Sequence, residues 1–384
     1  MQPALKKRKG TCSVIQRERI LNEFVTLASV SSPSFGERAM ADLLRPRLEA
    51  LGFAVEEDTA LAAMGGNAGN LHAYRPGEAG GEPLLFSAHM DTVKPCENKH
   101  VLVDPDGRIH TDGTTVLGGD DLTGVVELLQ AIESCLEDGV PLRPLEILFS
   151  VSEEYFLKGA EHFDCSRLRA EQVYVLDVDG EIGTAVIGAP TGIRLVWNVH
   201  GTAAHAALAP EEGISAIAIA AQAISRMSLG RIDADTTANI GIIRGGSAGN
   251  IVPDSCFVEG ETRSLVHEKA LAQCAHMEAA FRTAAEAAGG SADLETTQVY
   301  HAYAVAPGHP LVQRFQRACA QVGLTPRLVT STGGSDNSIF SGRGLTGIIL
   351  ATGMHRIHSV EEYTTLDELE QMTRLVAALI QPDR

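Results

Sequence analysis

The chain has 384 residues, 44% of them hydrophobic, a mean hydropathy of +0.03 and a formal net charge of -18. That length accommodates two domains with cores of ordinary size, and the acidic balance excludes the basic surfaces that nucleic acid or an anionic membrane requires. No stretch of about 18 apolar residues is present and no apolar run follows the basic residues 6–9, so neither a membrane span nor a secretion signal is expected.

Residues 15–28 and 36–51 read as helices, the second with Ala39, Leu43, Leu44 and Leu48 at helical spacing and Gly52 as its stop. Residues 70–74 form a predicted strand, residues 76–81 a Pro/Gly-rich turn and residues 84–88 a short buried strand. After Asp121, the apolar positions Val125, Val126, Leu128, Leu129, Ile132 and Leu136 predict a helix. Residues 145–151 and 173–176 are apolar runs without alternation, as in strands covered on both faces. The seven cysteines (Cys12, Cys96, Cys135, Cys165, Cys256, Cys274, Cys319) are scattered and lack a CxxC pair, which fits reduced thiols and a cytoplasmic location.

The pattern changes from Thr191. Residues 193–199 alternate, residues 214–227 and 269–288 are Ala-rich helices, and strands fall near 238–243 and 256–263. Strand, helix, two strands, helix, strand is an α+β layer of ferredoxin-like type. The first pattern resumes near Val305, with a helix at 311–322, a buried strand at 347–351 and a last helix opened by Thr365-Leu366-Asp367-Glu368. The predicted architecture is an α/β domain with a mixed sheet, residues 1–190 and 305–384, interrupted by an inserted α+β domain, residues 191–304.

Candidate ligands follow the short apolar runs: His89, Glu153 with Glu154, Asp177 and His358, while Asp120 and Asp121 lie between a Gly-Gly turn and a helix. In an open α/β sheet the carboxyl ends of the strands share one edge, where sites form. Two histidines and several carboxylates meeting there need cations to offset their repulsion, and imidazole with carboxylate suits zinc, or cobalt and manganese. Taken singly, these residues would be satisfied strand ends, helix caps or turn formers. Their joint placement at strand and helix edges argues for a metal site.

The chain resembles the co-catalytic zinc peptidases that include peptidase T, acetylornithine deacetylase and succinyl-diaminopimelate desuccinylase, most closely the peptidase T-like branch. The resemblance rests on Ser-Ala-His-Met-Asp-Thr ending at Thr92, Gly-Gly-Asp-Asp ending at Asp121 and Ser-Glu-Glu ending at Glu154. Leu-Asp-Val-Asp-Gly ending at Gly180, Gly-Gly-Ser-Asp ending at Asp336 and Gly-Met-His-Arg-Ile-His ending at His358 continue it. It implies that His89 and Asp177 bind one zinc, Glu154 and His358 the other, and that Asp120 bridges the two. It further implies Glu153 as general base, Asp91 as the carboxylate that orients His89, and a cis peptide between Asp120 and Asp121. Asp179 has the same side-chain chemistry as Asp177 and is the alternative ligand.

In the inserted domain the resemblance implies a lid that also forms a homodimer. His205 would reach across that dimer to polarise the scissile carbonyl, and Asn250 and Arg263 would contact substrate. Two departures bear on substrate: Thr332 stands where peptidase T has arginine, and Leu122 where the family has lysine. The implied activity is aminopeptidase action on short peptides, tripeptides above all. The alternatives are an amidohydrolase of N-acyl or N-carbamoyl amino acids, and a non-catalytic binding protein on the same fold.

Overall fold

The computed structural model describes residues 15–382, so the basic residues 6–9 and Cys12 lie outside the described residues. The chain divides into two compact units, one of Met1–Ile187, Ala304–Thr330 and Ser335–Arg384, the other of Gly188–Tyr303 and Ser331–Gly334. The inserted segment expected at 191–304 thus starts and ends within three residues of the second unit's main stretch. Residues 331–334 carried no sequence signal for joining that unit. They do so through contacts: Arg263 Nη1 donates to the Thr332 carbonyl at 3.1 Å, and Gly334 lies so close to the Tyr300 ring that a Cβ there would come within 2.6 Å of it.

The first unit is built on a mixed sheet. Leu145–Ser150, Leu84–His89, Gln172–Val178 and Thr346–Ala351 are neighbouring parallel strands, flanked by antiparallel pairing to Leu71–Arg75 and Thr184–Ala189. The two strands Leu84–His89 and Leu145–Ser150 are buried at every position, which is why they read as continuous apolar runs rather than alternating ones. Phe163 and Phe340 close a cluster with Leu85, Leu148, Val173, Val175 and Ile349. The helix Gly119–Glu137 is buried along most of its length, and contacts the strands Leu84–His89 and Gln172–Val178 and the helices Arg17–Ala28 and Leu366–Leu379. Thr365 caps that last helix by accepting the Glu368 N–H at 3.2 Å, a contact worth about 1 kcal/mol.

Register decides where the site forms. His89 pairs with Ser150, and Ala351 with Val178, so the carboxyl ends of all four parallel strands lie at one edge. A small sheet of Val101–Val103, Arg108–Thr111 and Tyr363–Thr365 lay outside the sequence reading, because such short and partly polar strands carry no clear periodicity.

In the second unit, Thr236–Gly245, Ser255–Ser264, Thr191–His200 and Ser291–Tyr300 pair antiparallel in that order, the arrangement of a ferredoxin-like layer. Helices Ala216–Ser225 and His267–Ala288 cover one face, where Trp197 stacks on Phe281 with ring centroids 4.4 Å apart. Among the described residues, no helix is long and apolar enough to cross a membrane.

Candidate metal centre

The first unit brings five predicted ligands into two groups that share one residue. His89, Asp120 and Asp177 form the first group, and Asp120, Glu154 and His358 the second; within each, the donor atoms lie within 4.8 Å of one another. His89 Nε2 is 3.0 Å from Asp120 Oδ1 and 3.8 Å from Asp177 Oδ1. His358 Nε2 is 2.9 Å from Glu154 Oε1 and 3.2 Å from Asp120 Oδ2. Asp120 therefore turns one oxygen to each histidine.

Each donor owes its place to an element end. His89 is the last residue of its strand, Asp177 the last but one of its own, and Glu154 sits in the turn after Leu145–Ser150. Asp179 is exposed and belongs to neither group, so the geometry gathers Asp177 and leaves Asp179 outside. Asp120 and Asp121 begin the helix Gly119–Glu137 with non-helical backbone angles, and the peptide between them is cis.

The electrostatics ask for cations. Burial, and then the neighbouring Asp177, push the carboxyls of Glu153 and Asp121 well above the ordinary range, and burial does the same to Asp177 itself. Burial alone would raise Asp120 too, but hydrogen bonds from His358 and His89 hold it low. The His358 imidazole is pushed up to about 10 by Asp120 and then Glu154. Asp121 Oδ1 is buried with no hydrogen-bond partner among the described residues. Protons on two histidines are a poor match for so many buried carboxylates, whereas two divalent cations between imidazole and carboxylate donors fit the set.

The sequence profile of Peptidase family M20/M25/M40 matches residues 85–381. The chain belongs to this family. The aminopeptidase PepT of Bacillus cereus ATCC 10987 is 40% identical, with a TM-score of 0.90 over 95% of this chain and 98% of that one. A tripeptidase of Staphylococcus aureus subsp. aureus Mu50 is 36% identical, with a TM-score of 0.93 over 96% and 99%. The uncharacterized protein YqjE of Bacillus subtilis (strain 168) is 38% identical over 96% of this chain and 99% of its own length. The chain is thus a member of a metallopeptidase family, and its mixed α/β fold is that of solved family members.

Around the donors, the contacts of Asp91 differ in detail from the implied role. His89 Nδ1 is 2.8 Å from the Asp91 backbone carbonyl and 3.4 Å from its carboxylate. The carboxylate instead accepts the Glu153 and Glu154 N–H groups at 2.9 and 3.2 Å and the Ser34 hydroxyl at 2.7 Å. Asp91 thereby ties the histidine to the Glu153-Glu154 turn. Glu153 is buried and belongs to neither donor group.

Further residues of this framework have roles that the sequence motifs alone do not assign. Glu362 accepts the Gly118 and Asp120 N–H groups, and the Lys99 ammonium, which burial lowers to about 8, donates to the Leu117 carbonyl at 3.2 Å. Gly118 has φ 80°, and a Cβ there would come within 2.7 Å of both Lys99 Nζ and Thr92 Cγ2, so glycine is required. Glu37 accepts the N–H and hydroxyl of Ser152, and Asp336 accepts the Ser150 hydroxyl at 2.5 Å. A lone acid in a loop or short helix carries no local signal for such roles.

The other predicted residues lie in the second unit. His205 is exposed, with Nδ1 accepting the Ala207 and Leu208 N–H groups at 3.2 Å, so the neutral ring carries its proton on Nε2. The Asn250 carbonyl accepts the Ala206 N–H at 3.0 Å, next to the pairing of His205 with Ile251. Arg263 is held by Glu261 through Nε and Nη2 at 3.0 and 2.9 Å, besides its bond to Thr332.

Proposed function

We propose that this chain is an aminopeptidase of the peptidase T kind, releasing the amino-terminal residue of short peptides, tripeptides among them, with two zinc ions or with cobalt or manganese in their place. The observation that carries this reading is the shared Asp120, with one carboxylate oxygen toward each histidine. His89 and Asp177 would hold one cation, Glu154 and His358 the other, and Asp120 both. Bound there, two cations would supply Lewis acidity to the scissile carbonyl and to the attacking water.

The chain's own groups then have distinct tasks. Glu153 takes a proton from the water and returns it to the leaving amine, a pair of transfers open to a buried carboxylate that belongs to neither donor group. Asp91 keeps His89 and the Glu153 turn in fixed relation. His205, contributed by the second subunit of a homodimer, donates its Nε2–H to the carbonyl oxygen, and Asn250 and Arg263 bind the rest of the peptide. Cys96, Cys135, Cys165, Cys256, Cys274 and Cys319 form no disulfide among the described residues, which supports work in the reducing cytoplasm.

Zinc-loaded protein tested on free tripeptides and on N-acetyl and N-carbamoyl amino acids should turn over the tripeptides. Thr332 favours one competitor: without an arginine, the site loses a bidentate partner for a peptide carboxylate. Hydrolysis confined to the acylated set would replace this reading by an amidohydrolase. Fewer than two transition metals per chain after repletion, with no turnover, would replace it by a binding protein.

A further inference from the structure

Tyr155 and Phe156 directly follow the Glu153-Glu154 pair and are 49% and 53% exposed. Their rings meet edge to face at 5.4 Å, and Tyr155 meets Phe35 in the same way at 5.0 Å. Aromatic rings of this size are ordinarily well covered, and an exposed cluster beside a reactive centre asks for an occupant. The backbone beneath them is left-handed at Phe35 (φ 66°), Ser152 (49°), Phe156 (61°) and Leu157 (59°), a conformation unfavourable for side chains with a Cβ. It persists because the surroundings hold it. The Phe35 N–H donates to Ser152 Oγ at 2.8 Å and to Glu37 Oε1 at 2.9 Å, and the Leu157 N–H donates to the Glu153 carbonyl at 2.8 Å.

The rings therefore stand on the same framework as Glu153 and Glu154. The donor set is open on this side: the His358 side chain is 52% exposed, while that of His89 is 2% exposed. Of the donors, His358 faces solvent, and Tyr155 directly follows Glu154, whose Oε1 lies 2.9 Å from His358 Nε2.

We propose that Phe35, Tyr155 and Phe156 form an apolar wall that receives the side chain of the substrate's amino-terminal residue and selects peptides in which that residue is large and apolar or aromatic. The proposal rests on the aminopeptidase reading, since the amino-terminal residue then supplies the scissile carbonyl and its side chain lies nearest the donors. Edge-to-face aromatic surface favours another ring over a methyl group.

The test compares kcat/KM for Phe-Ala-Ala and Ala-Ala-Ala in the zinc-loaded wild type, Tyr155→Ala, Phe156→Gly, the double variant and Tyr155→Phe. Glycine adopts φ 61° freely, so Phe156→Gly removes a ring while easing the backbone. The wild type should prefer Phe-Ala-Ala. The preference ratio should fall about tenfold or more in the double variant and persist in Tyr155→Phe, with two metals per chain retained throughout. A wild type that cleaves both peptides without aromatic preference, or a ratio unmoved in the double variant, overturns the wall alone. An unmoved ratio with a changed sedimentation coefficient would identify the rings as a contact with a second copy instead. A wild type inert toward every tripeptide overturns the aminopeptidase reading, and the wall with it.

Discussion

Glu362 holds Asp120 through the backbone: its Oε1 accepts the Asp120 N–H at 2.9 Å while Oε2 accepts the Gly118 N–H at 2.7 Å. One buried carboxylate, 242 residues away in sequence, thus fixes the turn from which the shared donor projects. In Glu362→Gln the amide nitrogen cannot accept, so one of the two buried N–H groups loses its partner, at a cost of about 1–3 kcal/mol. Metal affinity, measured by competition with a chromophoric chelator, should fall about 10- to 100-fold. Unchanged affinity in a folded variant would show that the turn holds itself.

Glu153→Gln separates base from ligand. Glu153 lies in neither donor group, so the variant should keep two metals by elemental analysis while kcat falls about 10²- to 10⁴-fold. Loss of metal with the activity would mean that Glu153 and Glu154 have exchanged roles.

His205→Ala should lower kcat about 10²-fold with metal content unaltered, as for removal of a donor to a developing oxyanion. Because the ring would act from a partner subunit, mixing this variant with Glu153→Gln should restore part of the activity in heterodimers. Mixtures that stay inactive would refute the cross-subunit role.

Glu37 gives stability a pH dependence of known sign. Burial, and then the nearby Asp91, raise its carboxyl from the ordinary 4.5 to about 7. The folded state keeps this proton longer than the unfolded chain, so the contribution is complete below about 4.5 and is lost as pH rises through about 7. The loss amounts to about 3 kcal/mol. Glu37→Gln keeps an acceptor for the Phe35 and Ser152 N–H groups and places its NH₂ at Oε2, which has no hydrogen-bond partner among the described residues. Denaturation of metal-free protein between pH 5 and 8 should therefore show a shallower fall in the variant. Equal slopes would place the proton elsewhere.

Much of this was legible in the sequence because the signals are local. Unbroken apolar runs such as residues 84–88 and 145–151 mark buried parallel strands, and parallel strands bring their carboxyl ends to one edge, so His89 and the Glu153-Glu154 pair could be read off run ends. The Ser255–Ser264 strand, alternating between buried and less buried positions along its length, and the Ala-rich helix His267–Ala288 were readable for the same reason: one face of each is buried.

What only the tertiary structure decided are the relations between distant residues. Asp177 stands with His89 and Asp120 while Asp179 is exposed and in neither donor group, although both have the same chemistry and neighbouring positions. The sharing of Asp120 by His89 and His358, the grip of Glu362 on the Gly118 turn, and the joining of residues 331–334 to the second unit all depend on register and packing across long stretches of chain. Local propensity acts over a few residues and names the chemical groups. Which oxygen meets which nitrogen is settled by how strands pair and helices pack, and that information lies in the fold as a whole.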